Sequence, residues 1–308
     1  MTKFSVIIVN YNLTLHVIES VKSLLSFHTK FDYEVIVVDN NSSDAEKNLL
    51  NSAFSSLNRV KTLLLNSNYG YGSGNNYGFD NSRGEIIFLL NPDTIITQEV
   101  FNDVNRIFEN YPEVSVIGPK IVNESKIQEK SLGMYPSIIV EFFNLFSLSS
   151  FIENICFERK IKKTNDKFIE VDWVTGAAMF VRRKVYEKVN GFDTNFFMYS
   201  EEIDLCKRIK EAGGRIIYNP SIELTHKGSV GSKKDYYFFT KTSFESKYYY
   251  IKKHFTGVER IMILSLLKLH IIFQTILWAV LYPFNPVKSS GKLKAFTRLV
   301  FSSKISES

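Results

Sequence analysis

The sequence predicts an α/β protein with a mostly parallel central sheet flanked by helices, followed by a C-terminal apolar helical extension. Three observations carry this reading. Over the first hundred residues short β-branched runs alternate with helix-spaced segments, and strands separated by helices pair in parallel, buried on both faces. Strand, helix and strand signals return between residues 171 and 226, and residues 261 to 282 then form one apolar run. A chain of 308 residues has room for one large domain and an appendage. The division is set at 1–230 and 231–308.

The elements follow in order. Phe4 to Asn10 reads as a first buried strand, and Leu15 to Phe27 as a helix with Thr14 in the N-cap position. Glu34 to Asp39 is a second strand, after which Ser42 or Ser43 caps a helix running to Leu57. Val60 to Asn66, a short helix from Gly74 to Ser82, and Glu85 to Leu90 complete the alternation. Residues 100 to 118 read as a helix and a strand, whereas 125 to 170 show Phe-rich patches without usable periodicity. Val174 to Arg182 reads as a strand, Glu201 to Ala212 as a helix stopped by Gly213-Gly214, and Arg215 to Tyr218 as a strand. The final SSKISES is expected to fray.

Composition narrows the class. Cys156 and Cys206 lack metal-ligand spacing, so a reducing compartment is the simpler reading. The apolar run at the N-terminus is too short for a signal-peptide core. From Lys227 onward fourteen Lys and Arg stand against four Asp and Glu, a net +10 that leaves the first 226 residues at −4. A slightly acidic body with a basic, apolar tail is unlike a nucleic-acid binder. It suits a body handling metal and substrate, with a tail meeting anionic lipid.

Ligands of open α/β sheets bind beyond the carboxyl ends of the strands. Three polar segments follow strands: Asn10-Tyr11-Asn12, Asp39 to Asp44, and Asn91-Pro92-Asp93-Thr94. Asp93 offers a hard oxygen suited to Mg²⁺ or Mn²⁺, and His226 is a candidate second ligand. Local composition alone equally suits a plain turn at Asp93. Glu201, Glu202 and Asp204 open a helix, where the helix dipole favours carboxylates, and one of them facing the crevice would serve as a general base. Residues 202 and 204 lie about 200° apart around a helix, so both cannot face it alike. The glycine-rich stretch 68–78 fits neither G-x-G-x-x-G nor a P-loop, which argues against a nicotinamide enzyme. It suits a close approach of backbone to ligand, with Asn68, Gly70 and Asn76 as contacts.

Seven segments in order resemble family 2 glycosyltransferases of the GT-A nucleotide-diphospho-sugar transferase fold, especially the bacterial rhamnosyltransferase-like branch. They are SVIIVNYN (5–12), VIVVDNNSSD (35–44), NYGYGSGNNYG (68–78), IIFLLNPDT (86–94), VDWVTGAAMFVRR (171–183), GFDTNFFMYSEEIDLCKRIKEAGGRIIYNP (191–220) and LTHKGS (224–229). The resemblance implies that Asp39 reads the nucleotide base, with Asn12 and Asp44 lining that pocket. It puts Asn91 and Asp93 in the DxD-type metal motif, whose first carboxylate is Asn here. It makes His226 the distal metal ligand, and Trp173, Gly176 and Ala177 the segment beneath sugar and acceptor. The family base is an Asp in Glu-Asp-x-Asp. The segment here is Glu201-Glu202-Ile203-Asp204, so Glu202 falls at that position with Glu201 and Asp204 as substitutes. The implied activity is inverting transfer from a dTDP- or UDP-sugar, dTDP-rhamnose first, to a saccharide or polyprenol-linked saccharide. A non-catalytic nucleotide-sugar-binding partner would share the fold, but retention of Asp93, Glu202 and His226 together weighs against it.

The apolar run from Ile261 to Tyr282 would extend about 33 Å as a helix, near the thickness of a bilayer core. Lys268 near its middle would cost roughly 2.5–3.5 kcal/mol in a spanning helix. An interfacial or re-entrant arrangement is therefore expected, with Trp278 and Tyr282 at the headgroups and Lys288, Lys292, Lys294 and Arg298 toward anionic lipid. This places the protein in the cytoplasm, peripherally on the inner face of the membrane. Burial of the helix against the first domain or in a homodimer is the alternative.

Overall fold

The structure, a computed structural model, describes residues 2–146, 148–163, 168–228 and 235–301. The SSKISES tail and the boundary expected at 230/231 lie outside the described residues. Two compact units emerge. The first comprises Met1–Gly133, Lys160–Phe197 and Glu201–Gly228; the second comprises Met134–Arg159, Met198–Ser200 and Ser229–Ser308. The segment 134–159, which the sequence reading kept with the first domain, thus groups with the C-terminal helices.

In the first unit, nine strands among the described residues form one sheet. Its core is β1 (Phe4–Asn10) between β2 (Tyr33–Asp39) and β4 (Ile86–Leu90), with β3 (Val60–Leu64) outside β2, all parallel. Every residue of β1 is buried, which is why the run FSVIIVN shows no polar alternation. Beyond β4 lie β10 (Ala178–Arg182), β6 (Val114–Val122), β11 (Arg215–His226) and β5 (Thr94–Ile96). β10 runs antiparallel to both β4 and β6, and β11 runs parallel to β6 but antiparallel to β5. β8 (Ile169–Glu170) pairs with β11 off this path. A small second sheet joins β7 (Leu132–Gly133) to β9 (Trp173–Val174). Helices α1 (Thr14–Leu25), α2 (Asp44–Phe54), α3 (Tyr71–Asp80), α4 (Phe101–Asn110), α7 (Arg183–Lys188) and α8 (Glu201–Glu211) belong to this unit.

Several boundaries differ from the sequence reading for identifiable reasons. Thr14 opens α1 rather than capping it, because its hydroxyl accepts from Asn10 Nδ2 at 3.0 Å. The free backbone N–H groups of Leu13 and Thr14 go instead to Asn10 Oδ1 and Glu46 Oε2. Helix α3 starts at Tyr71 rather than Gly74. Its glycines, each unfavourable in a helix by about 1 kcal/mol, let it lie directly on β1. A Cβ at Gly74 would sit 2.8 Å from Val9 Cγ1, and one at Gly78 2.5 Å from Ile7 Cγ2. The expected single strand from Val174 to Arg182 is broken into β9 and β10 by Thr175-Gly176-Ala177. Strand β11 continues well past Tyr218, because a register shift between Asn219 and Glu223 absorbs Pro220.

The second unit contains α5 (Ile138–Leu145), α6 (Ser149–Lys163, which continues into the first), α9 (Tyr236–His254), α10 (Gly257–Val280) and α11 (Pro286–Val300). Tyr248 and Ile251 of α9, Ile263, Leu264, Leu267 and Ile271 of α10, and Phe296 and Leu299 of α11 form its core. Phe-rich 125–170, unplaced from sequence, supplies α5, whose Ile138 packs on that core. The core draws one stripe from each helix, a pattern that local periodicity in so short a segment does not reveal.

Candidate active site

The carboxyl ends of β1 and β2 are side by side, Asn10 opposite Asp39. Asp39 is fully buried. Its Oδ1 accepts from Asn10 Nδ2 at 2.9 Å and its Oδ2 from Ser42 N at 2.9 Å. Asn12, at φ 54°, bridges the same two turns: its N–H donates to Ser42 Oγ and its Oδ1 accepts from Ser43 N. Asp39 therefore ties the ends of β1 and β2 together through these turns, while Asn12 and Asp44 are exposed. Asn40 Nδ2 donates to Asn68 Oδ1 and to Gly70 O, drawing the start of α3 to the same end of the sheet. Gly70 has φ 89°, and a Cβ there would lie 2.3 Å from the Phe197 carbonyl oxygen. Asn76 donates to Phe192 O and accepts from Tyr186 O–H and Phe192 N, so its side chain is committed to holding the 186–192 segment.

The turn after β4 carries the metal candidates. Asn91 N donates to Ala177 O at 2.9 Å, and Lys227 N to Asp93 O at 2.9 Å. The pairing of β5 with β11 sets His226 opposite Thr94. As a result, two residues remote in sequence meet: His226 Nε2 lies 3.1 Å from Asp93 Oδ1, with Asp93 buried. The other imidazole nitrogen, Nδ1, lies 2.8 Å from Glu129 Oε2. Burial pulls the His226 pKa down, but hydrogen bonds and charge from Asp93 and Glu129 outweigh it and lift it to about 9.

These residues fit a divalent ion. A carboxylate oxygen and an imidazole nitrogen face one another, and an outer carboxylate fixes the ring through its second nitrogen, the usual arrangement around a ligating histidine. No cluster of three or more His, Cys, Asp or Glu side chains suited to a metal occurs among the described residues. Mg²⁺ and Mn²⁺ sites that work on phosphates commonly use one or two protein ligands and complete their shell with phosphate oxygens and water.

At the N-terminus of α8 the three carboxylates part company. Asp204 is fully buried and pairs with Arg208 Nε at 2.7 Å. Arg208 in turn donates to Val189 O and Gly191 O, so Asp204 belongs to a structural clamp. Glu201 is buried with Oε2 lacking a hydrogen-bond partner among the described residues. Burial, then the charge of Glu202, raises its carboxyl well above the usual range. Glu202 is half-buried. Burial raises its carboxyl to about 7, against backbone N–H donors at its own position and Ile203 that favour the charged form. Such a carboxyl is tuned to accept a proton near neutral pH.

Tyr71 links this helix to the metal candidates. Its hydroxyl donates to Gly176 O at 2.7 Å, and a Cβ on Gly176 would lie 3.7 Å from Glu202 Cβ. Burial most of all, then the charges of Glu201, Glu202 and Asp93, raise the Tyr71 hydroxyl far above its ordinary value. Trp173 is buried and pressed on Gly133, with Lys130 Nζ 5.5 Å from its ring centre. Sequence reasoning missed Glu129, Tyr71 and Arg208. Glu129 lies in the stretch without periodicity, and Tyr71 was hidden among the glycines. For Arg208, the i to i+4 spacing from Asp204 was a usable signal.

Sheet order, polar strand ends and the Asp93–His226 pair together define a GT-A nucleotide-sugar transferase architecture. The family model described as "Glycosyl transferase family 2" matches residues 5–189, and the chain belongs to that family. It is 30% identical over 203 residues to rhamnosyltransferase WbbL of Escherichia coli, covering 63% of this chain and 72% of that one. It is 27% identical over 259 residues to the low-salt glycan biosynthesis hexosyltransferase Agl10 of Haloferax volcanii, covering 79% and 70%. Identity to an N-acetylglucosaminyl-diphospho-decaprenol L-rhamnosyltransferase of Mycobacterium tuberculosis is 24% over 245 residues, covering 75% and 78%. Among solved structures, mannosyltransferase PcManGT from Pyrobaculum calidifontis, in complex with GDP-Man and Mn²⁺, aligns at a TM-score of 0.58 with 13% identity. That alignment covers 98% of this chain and 88% of the other, a likeness of fold alone.

Proposed function

We propose that the protein is an inverting, metal-dependent transferase that moves a sugar, L-rhamnose from dTDP-rhamnose first, to a lipid-linked or cell-surface saccharide at the cytoplasmic face of the membrane. The observation that carries the reading is the meeting of Asp93 and His226 at 3.1 Å, with Tyr71 and Gly176 joining that corner to Glu202. The donor and acceptor classes draw support from the rhamnosyltransferase names of two relatives.

In this scheme Glu202 takes the proton of the acceptor hydroxyl as the oxygen attacks the anomeric carbon. The bond from that carbon to the diphosphate oxygen breaks on the opposite face, which inverts the centre, and the nucleoside diphosphate leaves. Asp93 and His226 would hold the divalent ion, with Asn91 beside them, and the ion would supply positive charge against the charge growing on the diphosphate. Glu129 holds the His226 ring in place. Asp39, Asn12, Asp44 and Asn68 shape and line the nucleotide end. Gly70 and Asn76 keep α3 and the 186–192 segment in register with it. Trp173, Gly176 and Ala177 form the wall beneath sugar and acceptor.

The test is donor hydrolysis or transfer with added Mn²⁺, wild type against Asp93→Ala, across dTDP-, UDP- and GDP-sugars. Stabilisation by a pyrimidine diphosphate sugar, strengthened by metal and followed by turnover that Asp93→Ala abolishes, is the expected result. Turnover of a UDP-hexose in preference to dTDP-rhamnose would keep the mechanism and replace the donor. Binding with no turnover on any acceptor would replace the enzyme with a non-catalytic partner.

A further inference from the structure

One helix among the described residues, Gly257–Val280, is long and apolar enough to cross a membrane. Its surroundings in the second unit argue against crossing. Ile263, Leu264, Leu267 and Ile271 are buried in a core shared with α9 and α11. Ion pairs surround that core: Lys241 pairs with Glu245 within α9, and Lys247 of α9 pairs with buried Glu141 of α5. A transbilayer α10 would draw these ion pairs into hydrocarbon along with Lys268, which alone would cost roughly 2.5–3.5 kcal/mol on insertion scales.

The opposite stripe of α10 is bare. Ile261, Met262, Leu269, Ile272, Phe273, Ile276 and Val280 are exposed, and at 100° per residue they fall within about 120° of one another. Lys268 lies just outside that sector, on the rim, where its ammonium reaches water while its stem covers apolar surface. The bare stripe continues onto α5. The two helices share an apolar groove of about 580 Å³, and Ile139 and Phe142 of α5 and Phe146 just after it are 68%, 49% and 58% exposed. Contiguous exposed apolar surface of this kind marks an interaction site.

Charge selects the occupant. Lys288 and Lys292 of α11 stand over Trp278 of α10, and Lys294 stands over Tyr237 of α9. Lys294 and Arg298 line a second groove with Tyr237, Tyr282 and Phe301. The chain from Lys227 carries a net +10. Two such surfaces repel each other, whereas an anionic bilayer attracts one. We infer that the exposed stripe of α10 and the adjoining face of α5 form a monotopic docking surface. It lies in the plane of an anionic bilayer, with its apolar side chains among the acyl chains and the basic residues of α11 at the headgroups. This rests on the membrane location proposed above and gives it a surface and an orientation.

The experiment is co-sedimentation of the full chain with vesicles of phosphatidylcholine alone and of phosphatidylcholine with phosphatidylglycerol. Wild type should partition preferentially into the anionic vesicles and be released by alkaline carbonate. Phe142→Glu with Ile276→Glu should lower partitioning at least tenfold. Lys294→Glu with Arg298→Glu should remove the preference for phosphatidylglycerol. Leu64→Glu, an exposed apolar position on the first unit, should change neither. If the glutamate pair disturbs folding by circular dichroism, Phe142→Ser with Ile276→Ser replaces it. Carbonate resistance would show a spanning helix and overturn the inference. So would unchanged partitioning of the stripe variants, or a lipid-free dimer that the same variants dissolve. Donor binding, measured separately by thermal shift, keeps the two proposals apart. Lost docking with intact donor binding refutes this inference alone, and intact docking without donor binding refutes the functional reading alone.

Discussion

Glu202→Gln separates catalysis from stability, because both depend on the same half-buried carboxyl. Folding raises the Glu202 pKa from 4.5 to about 7, chiefly by burial. A carboxyl whose pKa rises on folding binds its proton more tightly in the native state. Its penalty is therefore absent below pH 4.5, grows as pH rises, and is complete above about 7. At 1.36 kcal/mol per pH unit the full lift would amount to about 3 kcal/mol. Glu202 is only half-buried, and solvent screening reduces this to about 1–2 kcal/mol. The neutral glutamine should thus raise the melting temperature by several degrees at pH 8, at about 2–4 °C per kcal/mol, and leave it unchanged at pH 4. Turnover should move the other way. In wild type, kcat should fall about tenfold per pH unit below 7 as the base becomes protonated, and Glu202→Gln should lower kcat by 10²–10⁴ and abolish that limb. Thermal melts at the two pH values and a pH–rate profile check both arms. A variant that retains the acid limb with near-normal kcat would remove Glu202 from the base role and return attention to Glu201.

Three further outcomes follow from individual contacts. Glu129→Gln should weaken Mn²⁺ affinity 10–100-fold while leaving the melting temperature of the metal-free protein within a few degrees, because Glu129 acts through the His226 ring; titration calorimetry reads this, and unchanged affinity would count against the outer-carboxylate role. Gly78→Ala gains about 1 kcal/mol of helix propensity but places a Cβ 2.5 Å from Ile7 Cγ2 and 3.1 Å from Val38 Cγ2, so denaturant melts should show a net loss of about 1–3 kcal/mol, and a stabilised variant would contradict the close packing of α3 on β1. Arg208→Ala removes the ion pair to Asp204 together with the donations to Val189 O and Gly191 O and should destabilise by about 3–5 kcal/mol at neutral pH, read by denaturant melts; a mild effect would contradict the clamp and reopen the candidacy of Asp204 as base.

The alternation of strands and helices, the runs buried on both faces and the polar residues at strand ends were legible because each is a local pattern. Burial on both faces of a strand removes polar residues from the run itself, and a ligand crevice leaves its mark right after the strand. The parting of Glu202 from Asp204 was also legible, since helix geometry alone turns them about 200° apart. Asn10 and Gly78 show the limit. From sequence, one closed a strand before a polar turn, and the other lay in a short helix at the end of a glycine-rich stretch suited to approach a ligand. The fold uses Asn10 to tie two strand ends and the start of α1, and Gly78 to bring α3 down onto β1.

The sequence by itself determined the family, the strand ends at which chemistry gathers, and the presence of an apolar C-terminal helix, since all of these are written in residues near one another. Tertiary structure alone decided that β11 runs past Pro220 to set His226 against Asp93. It also brought Glu129 to the far side of the imidazole, committed Asp204 to Arg208, and divided α10 into a buried stripe and a bare one. The physical reason is common to them. Each depends on strand register or helix packing between segments far apart in the chain, and the energies that set those pairings arise only when the distant surfaces meet.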